Sequence, residues 1–298
     1  VPSPPEEGDP VTALALAAMG GRILLLGWEK IAFKQMGEGE DSLAVVVLLG
    51  WTGALLLLPF AFFEPLASWS FVPAAAAAAG VYLAGILLYV RALSEGQVSL
   101  VGPVYNFNVF FLLLLSVLFL GESLSPWKVG GMALMVWGST FLNPGVSLGA
   151  SLRALAANRP CRTMMVASLF IAAGRVVDAR VVGLLAEHPP TVPYALVQAA
   201  FSGLYALAFL AVRRRTSLPW RLLRSRPRAC LVAGACNIYA YLLLLLALRG
   251  LEVSLAEPLS MLGILLSVVL AHFVFHEPLK GRLLGSCLML LGAWGLFL

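Results

Sequence analysis

The sequence predicts an all-α membrane protein with ten transmembrane helices in two inverted five-helix repeats. Three observations lead to this prediction: the composition, the spacing of apolar segments and an internal repeat. Of the 298 residues, 60% are hydrophobic and only 12% are charged, whereas soluble domains contain about 25% charged residues. A soluble domain of this size has too little interior to bury so much apolar surface. The composition therefore excludes most soluble enzymes, and it argues against nucleic-acid binding as the reason for the net charge of +5.

The apolar segments have the length of membrane spans, since a transmembrane helix needs roughly 20 mainly apolar residues. Segments bounded by polar, glycine or proline breaks predict ten spans, which leave no room for a separate soluble domain. We expect a disordered tail at 1–10, a first repeat at 11–143, a linker at 144–162 and a second repeat at 163–298. The ten spans are 11–34, 43–63, 72–93, 97–119, 126–143, 163–186, 192–212, 228–248, 252–275 and 281–298.

The second half of the chain repeats the first. The sequence ALSEGQVSLVGP at 92–103 resembles ALRGLEVSLAEP at 247–258, with an offset of 155 residues. Near the start of each half, Gly21-Arg22 matches Gly174-Arg175 at an offset of 153. Because each half has an odd number of spans, the second half must begin on the opposite side of the bilayer. This predicts the inverted-repeat architecture found in many transporters.

The basic residues predict an orientation. The connections after the odd-numbered spans carry 15 of the 20 lysines and arginines, and the segment 213–228 alone contains seven arginines. Cytoplasmic loops of membrane proteins are enriched in these residues. We therefore expect a multi-pass protein of a bacterial inner membrane with both termini outside.

Arg22 and Arg175 are the strongest candidates for function. Each lies near the middle of its predicted span, at the same place in its repeat. An arginine at mid-bilayer depth costs several kcal/mol and usually faces the protein interior or a water-filled cavity. Two such residues at the repeat interface would form a clamp for a carboxylate or phosphate, because a guanidinium offers a bidentate pair of donors. The alternative is that acidic neighbours such as Asp178, one helical turn after Arg175, neutralise the arginines in a purely structural role.

Glu257 is the candidate for proton coupling. It precedes Pro258, which matches Pro103 in the first repeat, and helices broken at matching positions mark binding sites in transporters. A buried carboxylate beside an arginine could exchange a proton as a cavity opens and closes. The alternative is a static ion pair with an arginine.

Further polar residues at similar depth predict a binding pocket, since amides and phenols can bind a substrate that has lost its water. They also hold helices together, which is the alternative for each. The candidates are Tyr105, Asn106 and Asn108 in span 4 and Asn237, Tyr239 and Tyr241 in span 8. At the end of span 1, Trp28 and Lys34 are interpreted as interfacial anchors.

We predict no catalytic residues, no metal site and no cofactor. In the pattern His272, His276 and Glu277, the two imidazoles have ligand-like spacing on one helix face, but no third ligand is evident. No nucleophile–base pair or phosphate-binding loop is evident.

The repeat resembles the EamA-type branch of the drug/metabolite transporter superfamily. The resemblance rests on the segment from Ala92 to Pro103, on Leu255-Ala256-Glu257-Pro258, and on Glu277 about 19 residues later. It implies a central cavity lined by helices 1, 3, 4, 6, 8 and 9 with alternating access to the two sides. It also implies efflux or exchange of metabolites, commonly coupled to protons.

Together these observations predict a secondary active transporter that exports or exchanges a small organic metabolite, anionic or amino-acid-like, with protons as the coupling ion. The alternative within transport is a multidrug or cation exporter that uses Glu257. A membrane scaffold without transport activity and an intramembrane enzyme are more distant alternatives. The sequence does not determine whether the protein is a monomer or a homodimer.

Overall fold

The computed structural model describes residues 10–64, 69–120, 126–141, 153, 155–182, 191–247, 253–279 and 281–295. These residues are predominantly helical, and no strand occurs among them. A helix lies in each of the predicted spans. The helices are α1 Pro10–Gly37, α2 Ser42–Ala61, α3 Val72–Glu95, α4 Val98–Val104, α5 Phe107–Leu120, α6 Pro126–Thr140, α7 Arg159–Val182, α8 Thr191–Val212, α9 Leu218–Ser225, α10 Pro227–Ala247, α11 Val253–Phe275 and α12 Arg282–Gly295.

Six helical segments of the described chain are long and apolar enough to cross a bilayer, as judged by length and composition. Two shorter apolar segments, Leu259–Phe275 and Arg282–Gly292, follow them in the second half. The protein is thus a helical, multi-pass membrane protein, and the count of ten spans stays a prediction. The six segments are Ser42–Ala61, Val72–Glu95, Val98–Leu115, Arg159–Asp178, Thr191–Val212 and Pro227–Ala247.

The fourth predicted span is broken into α4 and α5. The break lies at Tyr105 and Asn106, whose N–H groups donate to the carbonyls of Gly102 and Pro103 three residues back. Pro103 lacks an amide donor, and the asparagines that follow favour turns over helix interiors. Asn108 also uses its side-chain amide to donate to the carbonyl of Ser168 in α7, at 2.9 Å.

The matching break expected at Pro258 is absent, because the backbone of α11 is helical from Val253 to Phe275. The sequence after Pro258 is Leu-Ser-Met-Leu, without the asparagines that follow Pro103. The expectation of two broken helices was therefore wrong for the second half. A proline in its early turns does not by itself end this helix.

The helix packing has the symmetry of the repeat. In the first half α1 packs against α10 and α11, and in the second half its counterpart α7 packs against α3 and α5. Two further extensive contacts join α2 to α8 and α6 to α12, which are counterparts of each other. A smaller symmetric pair joins α2 to α10 and α8 to α3. Exchanging the two halves therefore exchanges or preserves each of these contacts. This arrangement places α1 and α7, with their arginines, on either side of the centre.

Candidate functional site

A cavity of about 120 Å³ lies at the centre of the helices. Side chains from α1, α2, α3, α7, α8, α10 and α11 surround it, together with Tyr105 at the break between α4 and α5. Much of its lining is apolar, including leucines and isoleucines of several helices. The polar lining residues are Arg22, Glu29, Lys30, Tyr82, Tyr89, Tyr105, Arg175, Gln198, Ser202, Asn237, Tyr241 and Ser260.

Arg22 is buried, with 3% of its surface exposed, and it lines the cavity. Its Nε donates to the hydroxyl of Ser260 at 2.8 Å, and its Nη1 donates to the carbonyl of Ala240 at 2.6 Å. These bonds join α1 to α10 and α11. They also hold the guanidinium in one position at the cavity wall.

Arg175 lines the same cavity from α7. Its guanidinium carbon lies 5.8 Å from the ring centroid of Tyr82 and 5.6 Å from that of Tyr241, which is cation–π geometry. The two rings form an edge-to-face pair, and both contact the guanidinium. The repeat-related arginines therefore reach one cavity.

Asp178 is the acidic residue that the sequence suggests as a structural partner of Arg175. Its Oδ2 lies 3.7 Å from Nη1 of Arg175. The hydroxyls of Tyr82 and Tyr194 donate to its two oxygens at 2.6 and 2.8 Å, and Gln198 donates at 3.4 Å. Asp178 is not among the cavity-lining residues. Arg175 thus has both an acidic neighbour in the protein and a position at the cavity.

The other predicted binding residues divide into two groups. Tyr105 and Asn237 line the cavity. Asn106 and Asn108 are buried but lie outside its lining. Tyr239 also lies outside, with its ring 6.3 Å from that of Phe60. Asn106, Asn108 and Tyr239 are therefore not part of the cavity.

Glu257 lies in the α11 backbone, but its side chain is outside the described part of the structure. Proton coupling at this residue stays a prediction.

Two charged residues of the cavity are not among the candidates that the sequence predicts. Glu29 and Lys30 are both buried and line the cavity. Glu29 follows Arg22 by seven residues, or about two helical turns, so the two share a helix face. That spacing was the signal that could have identified it.

Lys34, which was interpreted as an interfacial anchor, instead forms an ion pair with Glu277 at 2.9 Å. Its ammonium also lies 4.7 Å from the ring centroid of Phe275. Among the described residues, no group of three or more metal-ligating side chains comes together. A ring nitrogen of His272 is hydrogen-bonded to the backbone carbonyl of Glu277 at 2.7 Å.

Comparison with solved structures shows a known fold. One crystal structure is similar with a TM-score of 0.66 and 16% sequence identity, over 96% of each chain. At this identity the likeness concerns the fold alone. No curated protein is similar enough in sequence to count as a relative.

Comparison with protein families is more informative. The model of the EamA-like transporter family matches residues 9–143 and again 161–298. The two matches correspond to the two halves of the internal repeat and together cover nearly the whole chain. This protein therefore belongs to the EamA-like transporter family, and it is a multi-pass integral membrane protein.

Proposed function

We propose that the protein is a secondary active transporter of a small organic metabolite with an anionic group, and that the central cavity is its substrate site. One observation carries the proposal: Arg22 and Arg175, at equivalent positions of the two repeats, line one cavity. A carboxylate or phosphate between them could accept charge-assisted hydrogen bonds from both, and a guanidinium can bind such a group through two donors.

The surroundings of the arginines support this role. Ser260 and the carbonyl of Ala240 hold Arg22, and two tyrosine rings hold Arg175. Because the groups are already oriented in a largely apolar chamber, an anion would meet fixed donors with little competing water. Rocking of one set of helices against the other would open the chamber to each side in turn.

The transport mode we propose is proton-coupled export or exchange, with Glu257 as the coupling group. The inverted arrangement of ten helices belongs to this proposal. It gives two similar routes from the central cavity, one to each side of the membrane.

A second candidate function is export of a cationic metabolite or drug. Glu29 lines the cavity, and so do four tyrosines, whose rings favour bound cations. In that case Arg22 and Arg175 would serve mainly to stabilise helix packing.

The experiment is transport by purified protein in liposomes, with competition by anionic, zwitterionic and cationic metabolites of similar size. If the site binds anions, we expect anionic metabolites to compete for transport. We also expect Arg22→Ala and Arg175→Ala each to lower transport at least about tenfold, because a hydrogen bond to a charged group contributes about 1.5–3 kcal/mol. Arg221→Ala is the matched control, because Arg221 is exposed in the segment between α8 and α10. Competition by cations alone, with both cavity variants fully active, would reject the anion site in favour of the cation exporter.

A further inference from the structure

We infer that Glu29 and Lys30 form a second polar subsite in the cavity, which binds a neutral hydrogen-bonding group at the far end of the substrate from its anion. The inference rests on the proposed function, because it takes the arginines as the anion site. It adds a constraint on substrate class: an elongated organic monoanion that ends in a group with both donors and acceptors, such as a carboxamide.

Lys30 has unused donors. Its side chain is 1% exposed, and its ammonium makes one long hydrogen bond, at 3.3 Å to the carbonyl of Leu26. Among the described residues no carboxylate lies within 4.0 Å of its Nζ. An ammonium has three N–H donors. A buried charged group with open donors at a cavity wall is costly unless a ligand or water satisfies it.

Glu29 offers the complementary acceptors. Its side chain is 7% exposed and lines the same cavity. The hydroxyl of Tyr89 donates to one oxygen at 3.4 Å, which is long for such a bond. The carboxylate therefore has capacity for a further donor. Since Glu29 and Lys30 carry opposite charges, their subsite favours a neutral, dipolar group over a second anion.

Two tyrosine rings complete this end of the cavity. Tyr89 and Tyr105 meet edge to face at 5.3 Å, and the ammonium of Lys30 lies 5.8 Å from the Tyr105 ring centroid. This places the break between α4 and α5 beside the subsite. The two rings differ from Tyr82 and Tyr241, which hold Arg175.

The two subsites are separated along α1. Arg22 and Lys30 are eight residues apart, which corresponds to about 12 Å of helix. The ammonium of Lys30 reaches back to the carbonyl of Leu26, four residues earlier, whereas the guanidinium of Arg22 reaches across to Ala240 and Ser260. We therefore expect binding to depend on substrate length.

The test compares matched monocarboxylates of increasing chain length, each ending either in a carboxamide or in the isosteric isopropyl group. Binding to purified protein is measured by ligand-induced thermal stabilisation. At one intermediate length we expect the carboxamide to bind about tenfold tighter, the typical value of a hydrogen bond to a charged group. Lys30→Met and Glu29→Gln should both reduce this preference to near one, while the isopropyl-terminated anion still binds.

Lys34→Met is the control, because Lys34 is on the same helix but pairs with Glu277 outside the cavity lining. It should leave the preference for the carboxamide intact. Glu29→Gln is nearly isosteric and serves as the second variant if Lys30→Met does not fold.

The outcomes separate the two proposals. Equal binding of both end groups at every length, tighter binding of the corresponding dicarboxylate, or a preference that survives both variants would overturn the subsite while leaving the anion site standing. Failure of wild-type protein to bind either monocarboxylate would overturn the anion site and the subsite together.

Discussion

The carboxylate of Glu277 accepts two hydrogen bonds from Ser99, one from its N–H at 2.8 Å and one from its hydroxyl at 2.5 Å. The adjacent N–H of Val98 donates to the other carboxylate oxygen at 3.1 Å. These two N–H groups lie in the first turn of α4, where the helix itself offers them no acceptor, and the side chain of Gln97, which precedes the helix, does not cap them. Glu277, from the segment after α11, therefore caps a helix that begins 179 residues earlier.

Cations surround the same carboxylate. Lys34 pairs with Glu277 at 2.9 Å, and Arg282 lies 3.8 Å away while donating to the Ser99 hydroxyl and to the side chain of Gln97. Burial by itself raises the pKa of Glu277, but the Ser99 hydrogen bonds and the charge of Lys34 outweigh it and hold the pKa below its ordinary value. The network joins the ends of α1 and α11 to the starts of α4 and α12.

We expect Glu277→Gln to destabilise the protein by about 3 kcal/mol, because it removes the negative charge between Lys34 and Arg282 and replaces one acceptor oxygen with an NH2 donor that faces buried donors. The measurement is the thermal unfolding midpoint of purified protein in detergent. Arg91→Gln is the control, since its ion pair with Glu95 is exposed and such pairs contribute little. A midpoint unchanged in Glu277→Gln and lowered in Arg91→Gln would contradict this view of the network.

The stability contributed by Glu277 should depend on pH in one direction. Because the folded pKa is lowered, the contribution is complete above the unfolded value of about 4.3 and is lost as the pH falls through the folded pKa. We expect the midpoint of wild-type protein to decline in that acidic range more steeply than that of Glu277→Gln. If the unfolding midpoints of wild type and Glu277→Gln change in parallel with pH, ionisation of this carboxylate does not contribute to stability.

We expect Asp178→Asn to lower stability by about 2 kcal/mol, because it weakens the charge-assisted bonds from Tyr82 and Tyr194 beside Arg175. Tyr194→Phe removes one of these bonds and should cost less. In the double variant the two effects should not add, since they act on the same interaction. Strict additivity of the two midpoint changes would indicate that Tyr194 and Asp178 stabilise the fold independently.

We expect Gly292→Ala to destabilise the contact between α6 and α12. A methyl group at Gly292 would lie 2.6 Å from the backbone nitrogen of Met135 and 2.7 Å from the carbonyl oxygen of Gly131. Neither backbone atom can move aside as a side chain can, and small residues let membrane helices approach this closely. Gly130→Ala is the control, because nothing lies within 4 Å of its added methyl group. The prediction fails if the two variants unfold at the same temperature.

If Glu257 couples protons, Glu257→Gln should abolish pH-driven transport in liposomes while substrate exchange without a pH gradient is partly retained. The reason is that a glutamine side chain cannot release a proton at any working pH. Glu95→Gln, an exposed change in α3, is a suitable comparison. Transport by Glu257→Gln that responds to pH as the wild type does would place coupling elsewhere.

Much of the fold was predictable because membrane helices are local features. A run of apolar residues long enough to cross the bilayer must form a helix, since no water is present to satisfy free backbone groups. The helices therefore lie close to the predicted spans, and the repeat read from Ala92 to Pro103 agrees with the family matches in each half. The helix breaks after Pro103 but not at Pro258. This difference depends on the turn preferences of single residues, which are weaker than the requirement that an apolar span be helical.

Site residues could be predicted from the sequence only where a charged residue lies near the middle of an apolar span. Sequence alone determined that this is a helical membrane protein with two repeats, and it singled out Arg22 and Arg175, because charge and hydropathy along one helix do not depend on its neighbours. Tertiary structure decided which side chains meet. It placed Glu29 and Lys30 at the cavity and Asn106, Asn108 and Tyr239 outside its lining. It also paired Lys34 with Glu277. The physical reason is that these placements depend on how helices distant in the chain pack and rotate against one another, which the pattern of a single helix does not specify.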